Sequence, residues 1–141
     1  MQNGIYTIQN METGEHRTFR VKTQKDDARF APGERVVALL TGPDNGNDYR
    51  GFGFVNGNEI ALWRSKRTPA FRHYKAMLET AAAVLPEGDT EYREEIFQYF
   101  GRPYKVMMEV RCRRCNRRLT TPESIRRGLG PECADAMGLA G

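Results

Sequence analysis

Long apolar runs are missing from this 141-residue chain: no stretch of about 18 consecutive apolar residues occurs, so no membrane-spanning helix is expected. The start, Met1-Gln2-Asn3-Gly4-Ile5-Tyr6-Thr7, lacks the basic opening and apolar core of a secretory signal, which points to a reducing cytoplasm. Cysteine is scarce. With three residues, an odd number, a reducing compartment argues for metal binding over disulfides. Catalytic signatures are missing as well: there is no His-x-Glu, His-Glu-x-x-His or Gly-x-Ser-x-Gly, and no phosphate-binding Gly-rich loop ending in Lys. These absences argue against metalloprotease, serine-hydrolase and nucleotide-hydrolysing chemistry. Neither an internal repeat nor a low-complexity tract occurs.

The cysteines that are present lie in one stretch. Cys112 and Cys115 form a Cys-x2-Cys knuckle, and Cys133 follows in Gly130-Pro131-Glu132-Cys133. A knuckle of this kind lets two sulfurs reach one tetrahedral ion, and a third thiol at this distance reads as the other half of a zinc site. Cys133 falls in the first turn of an expected helix starting at Gly130-Pro131, where the positive helix end favours the metal-binding thiolate. A shorter helix is expected from Thr121 and Pro122 to Gly128. The fourth ligand is open: Glu109 folding back, His73 reaching across from a packed helix, the other imidazole, His16, or a water or partner. Met137 carries no charge, and Asp135 points away from Cys133 along a helix. Thiolate-rich zinc is a weak Lewis acid, so a structural ion is expected; an enzyme using an open zinc position is the third of three readings.

Charge is concentrated in the same region. Between Arg102 and Arg127 stand nine Lys and Arg residues against Glu109 and Glu123, in a chain of net charge +4, so the remainder is acidic. Three thiolates on one Zn²⁺ leave a single negative charge, far less than that excess. The patch, with Arg111, Arg113, Arg114, Arg117, Arg118, Arg126 and Arg127, is therefore expected to contact a phosphate backbone.

The fold class expected is α+β: a small antiparallel sheet or partly open barrel, two helices, and a C-terminal zinc-knuckle module. The expected division is a β domain over 1–66, a two-helix segment over 67–105 packed on it, and a zinc-binding module over 106–141. Strands are expected at Ile5–Ile8, Arg17–Val21, Arg35–Leu40, Tyr49–Val55 and Glu59–Trp63, with turns at Thr13-Gly14 and Asn56-Gly57. Lys22 to Gly33 reads as a polar loop. Thr68 and Pro69 open a helix to about Leu85, with an apolar face of Phe71, Tyr74, Met77, Leu78, Ala81 and Leu85. A second helix, capped by Asp89 or Thr90, is expected from the spacing of Tyr92, Ile96, Tyr99 and Phe100, and its Glu91, Glu94 and Glu95 suit a solvated face.

Arg50-Gly51-Phe52-Gly53-Phe54-Val55-Asn56 matches the start of the basic-aromatic octamer with which RNA-recognition sheets stack bases, although Gly57 stands where an aromatic belongs. No helix is expected between the first two strands, as that fold requires. The expectation is therefore a core face carrying both Phe52 and Phe54, with the glycines admitting a close neighbour, and an exposed stacking face is the alternative.

The run from Cys112 to Cys133, Cys-Arg-Arg-Cys-Asn-Arg-Arg-Leu-Thr-Thr-Pro-Glu-Ser-Ile-Arg-Arg-Gly-Leu-Gly-Pro-Glu-Cys, resembles an uncharacterised family of phage and bacterial proteins. Its pattern is Cys-x2-Cys-Gly/Asn-Arg-x-Leu-Thr, then Pro-x-Ser-Ile, then Gly-x-Gly-Pro-x-Cys. The resemblance implies zinc binding by Cys112, Cys115 and Cys133 and a phage or prophage setting, and carries no activity. The first functional expectation is thus a cytoplasmic, non-enzymatic zinc-binding accessory protein that contacts nucleic acid. The second is a phage module that docks on a host protein and inhibits it. DNA or RNA preference and oligomeric state are not written in the sequence.

Overall fold

The computed structural model describes residues 1–44, 47–85, 88, 91–112, 115, 129 and 134. β1 (Gly4–Asn10) and β2 (His16–Thr23) form an antiparallel hairpin whose connection turns at Gly14, φ 79°. β3 (Arg35–Leu40) pairs with β2, and its run Val36–Leu39 is buried throughout. β4 (Tyr49–Asn56) and β5 (Glu59–Leu62) are joined by Gly57-Asn58, with Gly57 at φ 62°, the left-handed conformation a tight hairpin demands.

After a 3₁₀ turn over Arg64–Lys66 comes α1 (Pro69–Val84). Thr68 caps it, its hydroxyl accepting from the Phe71 amide at 3.4 Å, and Pro69 opens the first turn. Met77, Leu78, Ala81 and Ala82 are its buried stripe. The Glu79 carboxylate accepts from the Ile60 amide at 2.8 Å, so the helix satisfies a backbone donor on edge strand β5.

The second expected helix is a strand. β6 (Tyr92–Tyr99) pairs along its whole length with β7 (Arg102–Val110), so among the described residues one α-helix, not two, accompanies the sheet. Tyr92, Ile96, Tyr99 and Phe100 do recur at helical spacing, but the period that wins is two: Phe97 and Tyr99 are buried, while Ile96 and Gln98 are exposed. Phe100 and Gly101 both have positive φ, 52° and 72°, the geometry of a two-residue turn between strands. β7 crosses the division expected between residues 105 and 106 and lies between β1 and the edge strand β6.

The strand order is β5-β4-β3-β2-β1-β7-β6, antiparallel throughout. Laid flat, six spacings of about 4.8 Å would put β5 and β6 roughly 29 Å apart. Yet α1 packs chiefly against these two edges. The sheet therefore curls into a half-barrel, with α1 closing the open side. Its inner face, from Ile8, Phe19, Val21 and Val37 to Val106 and Met108, meets Leu78 and Ala81 in the core. No helix among the described residues is long and apolar enough to cross a membrane. The expected helices after Thr121 and Gly130 lie outside the described residues.

Candidate metal-binding segment and outer sheet face

Alternation along β7 sends Val106, Met108 and Val110 inward and Met107, Glu109 and Arg111 outward. Cys112 continues the inward set and is 1% exposed. Leu129 and Ala134 are buried in the same core. Cys115 is exposed; Cys133 lies outside the described residues. Two thiols three positions apart just beyond a strand end suit half of a tetrahedral zinc site. Among the described residues no three His, Cys, Asp or Glu side chains converge on a common point.

His73 is not brought to Cys112. It is exposed on α1, with Nδ1 3.4 Å from the Tyr99 hydroxyl and its ring 5.5 Å from that of Tyr99. Tyr99 pairs with Arg102, at the opposite end of β7 from Cys112, so the two are roughly 30 Å apart along the strand. His16, opposite Gln9, sits toward that same distant end, since Gln9 pairs with Lys105. The separation follows from β6 being a strand, which sets the place where α1 docks. Glu109 projects from the outer face, where its carboxylate accepts from Arg111 at 3.0 Å. Both histidines and this acid are thus turned away from the Cys112 side chain.

Arg111 is the one candidate arginine whose surroundings are described; Arg113, Arg114, Arg117, Arg118, Arg126 and Arg127 lie outside the described residues. It belongs to a cationic outer face. Arg20 sits on β2 with its guanidinium 4.4 Å from the Tyr49 ring centroid, and its Nε is buried with no acceptor among the described residues. Burial pulls the Arg20 pKa down and pushes Tyr49 up. Lys22 is also lowered, first by burial and then by the charges of Arg20 and Lys25. Neither Arg20 nor Lys22 makes an ion pair among the described residues.

Beside these cations is an aromatic cluster that sequence reasoning divided wrongly. The β3–β4 pairing shifts register: Val37 faces Gly53 and Ala38 faces Gly51, leaving Phe52 as an extra residue, a β-bulge. Phe52 and Phe54 consequently do not share a face. Phe52, 0% exposed, packs in the core with Phe19 and Phe71 at 6.1 and 5.1 Å between ring centroids. Phe54 turns to the outer face and meets Trp63 at 5.6 Å and Phe30 at 6.0 Å, the latter stacked at 15°. Phe30 and Trp63 close the triangle at 5.1 Å. Phe30 was hidden in the expected polar loop; its signal was a single large aromatic among charged residues.

Residues 106–138 match a family described as a family of unknown function (DUF6011), a span that includes all three cysteines and is well short of half the chain. No curated protein and no solved structure matches the chain.

Proposed function

We propose that the chain is a non-enzymatic nucleic-acid-contacting accessory protein whose C-terminal segment is organised by a structural zinc ion on Cys112, Cys115 and Cys133. The observation that carries it is charge: the arginine-rich stretch leaves β7 through Arg111, on the same sheet face as Arg20 and Lys22, which make no ion pair among the described residues. Clustered positive charge of this kind attracts a phosphate backbone and gives little base readout. The zinc would supply no reaction chemistry; it would fix the knuckle after β7 and so aim the arginines. Both histidines lie toward the far end of the sheet, which favours a water or a partner over His73 and His16 at the fourth position. A phage or prophage setting belongs to the same proposal and rests on the resemblance of residues 112–133. The test is the affinity of the full chain for a mixed-sequence oligonucleotide at low ionic strength: binding is expected, and its absence removes the proposal.

One feature favours docking on a protein instead. β6 is an edge strand with exposed Tyr92 and Ile96, and the Phe100 ring at its hairpin tip is the most exposed large apolar side chain among the described residues. Edges of this kind accept a partner strand. Under this second reading, retention of a bacterial partner from nuclease-treated lysate is lost in Ile96→Asp.

A further inference from the structure

We infer that the outer face of the half-barrel is a surface for single-stranded nucleic acid, with a base stacking on Phe30, which Phe54 and Trp63 support from below, and phosphates held by Arg20 and Lys22. This rests on the nucleic-acid reading above and adds a second contact surface outside the cysteine-bearing segment.

The bulge at Phe52 is what creates the platform. Without it, strict alternation would put Phe54 in the core beside Phe52; with it, Phe54 comes out next to Trp63. The indole can lie there because Gly51 has no side chain: a Cβ at that position would stand 2.6 Å from Trp63 Cη2. Phe30 completes the cluster from a loop held shut by backbone bonds, Gln24 N to Glu34 O at 2.8 Å and Gly33 N to Gln24 O at 3.2 Å. Ala31 beside it is held at φ 46°, a left-handed conformation that a non-glycine residue rarely adopts. The result is a ring 52% exposed, parallel to Phe54 beneath it and offering its outer side to water.

Register places the cations alongside. Lys22 pairs with Val36 and Val36 with Phe54; Arg20 pairs with Ala38 and Ala38 with Gly51, under the indole. Each cation is therefore two strand spacings, roughly 10 Å, from its aromatic partner. Arg20 and Lys22 lack carboxylate partners among the described residues, and Glu109 on β7, two strands from β2, is engaged by Arg111. Cations without a carboxylate partner call for an anionic partner, and the exposed flat ring of Phe30 calls for a flat apolar group. Single-stranded nucleic acid carries both, alternating at short range, whereas a duplex conceals its base faces. An acidic protein segment supplies the charge without the planes.

Trp63 is the only tryptophan, so its fluorescence reports on this surface alone. The full chain is titrated with a mixed-sequence single-stranded oligonucleotide, the same sequence as duplex, inorganic polyphosphate and polyglutamate. Single strand is expected to quench Trp63 emission, and the other three to leave it near its starting value. Phe30→Ala, in a half-exposed position, is expected to weaken single-strand binding roughly tenfold, given about 1–3 kcal/mol per stacked base, and to leave polyphosphate binding unchanged. Arg20→Gln with Lys22→Gln should weaken both. If the oligonucleotide binds with no quenching and Phe30→Ala and the double variant match the parent, the outer-face surface is overturned while the arginine-segment reading stands. Equal quenching by duplex overturns base stacking, and equal quenching by polyglutamate points to an acidic protein. No oligonucleotide binding at low salt removes both proposals.

Discussion

The Trp63 indole lies directly over Gly51, close enough that one added methyl group at Gly51 would overlap the ring and stand 3.4 Å from Val36 Cγ1. The overlap is with a ring packed between Phe30 and Phe54, so it cannot be relieved by a small rotation. Gly51→Ala is expected to displace the indole, red-shift its emission and cost about 1–3 kcal/mol in urea unfolding. Emission and stability equal to the parent would show that the cluster is loose.

The two phenylalanines of β4 should respond differently to truncation. Phe52→Ala empties a fully buried site and is expected to cost about 3–5 kcal/mol. Phe54, only partly buried on the outer face, should cost less than half as much on Phe54→Ala. Equal losses in chemical denaturation would put both rings in one core, as a strand without the bulge would have them.

Lys22 gives the account a pH signature. Its folded pKa lies below the ordinary lysine value, so the unfolded chain holds more protons in the window between the two, and stability rises with pH there. The charges responsible besides burial are Arg20 and Lys25. A bound phosphate reverses the shift, because an anion favours the charged amine. Affinity for an oligonucleotide is therefore expected to fall as pH rises from neutral toward the lysine range, with proton uptake on binding. Lys22→Gln should flatten that dependence; an unchanged slope would place the phosphate elsewhere.

The proposed metal site makes its own prediction. Zinc-edge absorption on protein purified without chelator is expected to show three sulfurs and one lighter neighbour. His73→Ala and His16→Ala should leave the zinc content unchanged, since both residues lie toward the end of the sheet remote from Cys112. Cys112→Ser should lower it. Loss of zinc in His73→Ala would contradict the docking of α1 against Tyr99.

Much of the architecture is legible in the residues. Thr68-Pro69 and the stripe through Met77, Leu78 and Ala81 announce α1, and Gly57 announces the β4–β5 turn, because caps and tight turns are local chemistry. β6 is hidden in the sequence because Tyr92, Ile96, Tyr99 and Phe100 recur at helical spacing over a short span; pairing with β7 decides, and that is a long-range fact. The place of Phe54 depends on a bulge opposite Val37 and Ala38, which no spacing within β4 reveals. The candidate site divides the same way. The Cys112–Cys115 pair is visible as a local motif, whereas the remoteness of His73 is set by which edge of the sheet α1 touches.

The most direct measurement is the affinity of the intact, zinc-loaded chain for a mixed-sequence single strand across a series of salt concentrations. A protein that neutralises several phosphates with arginine and lysine releases their counterions, so the logarithm of the binding constant should fall steeply and linearly with the logarithm of salt. That line, with a shallower slope in Arg20→Gln/Lys22→Gln, is the predicted result. A binding constant indifferent to salt, or no binding at the lowest salt, would contradict the account.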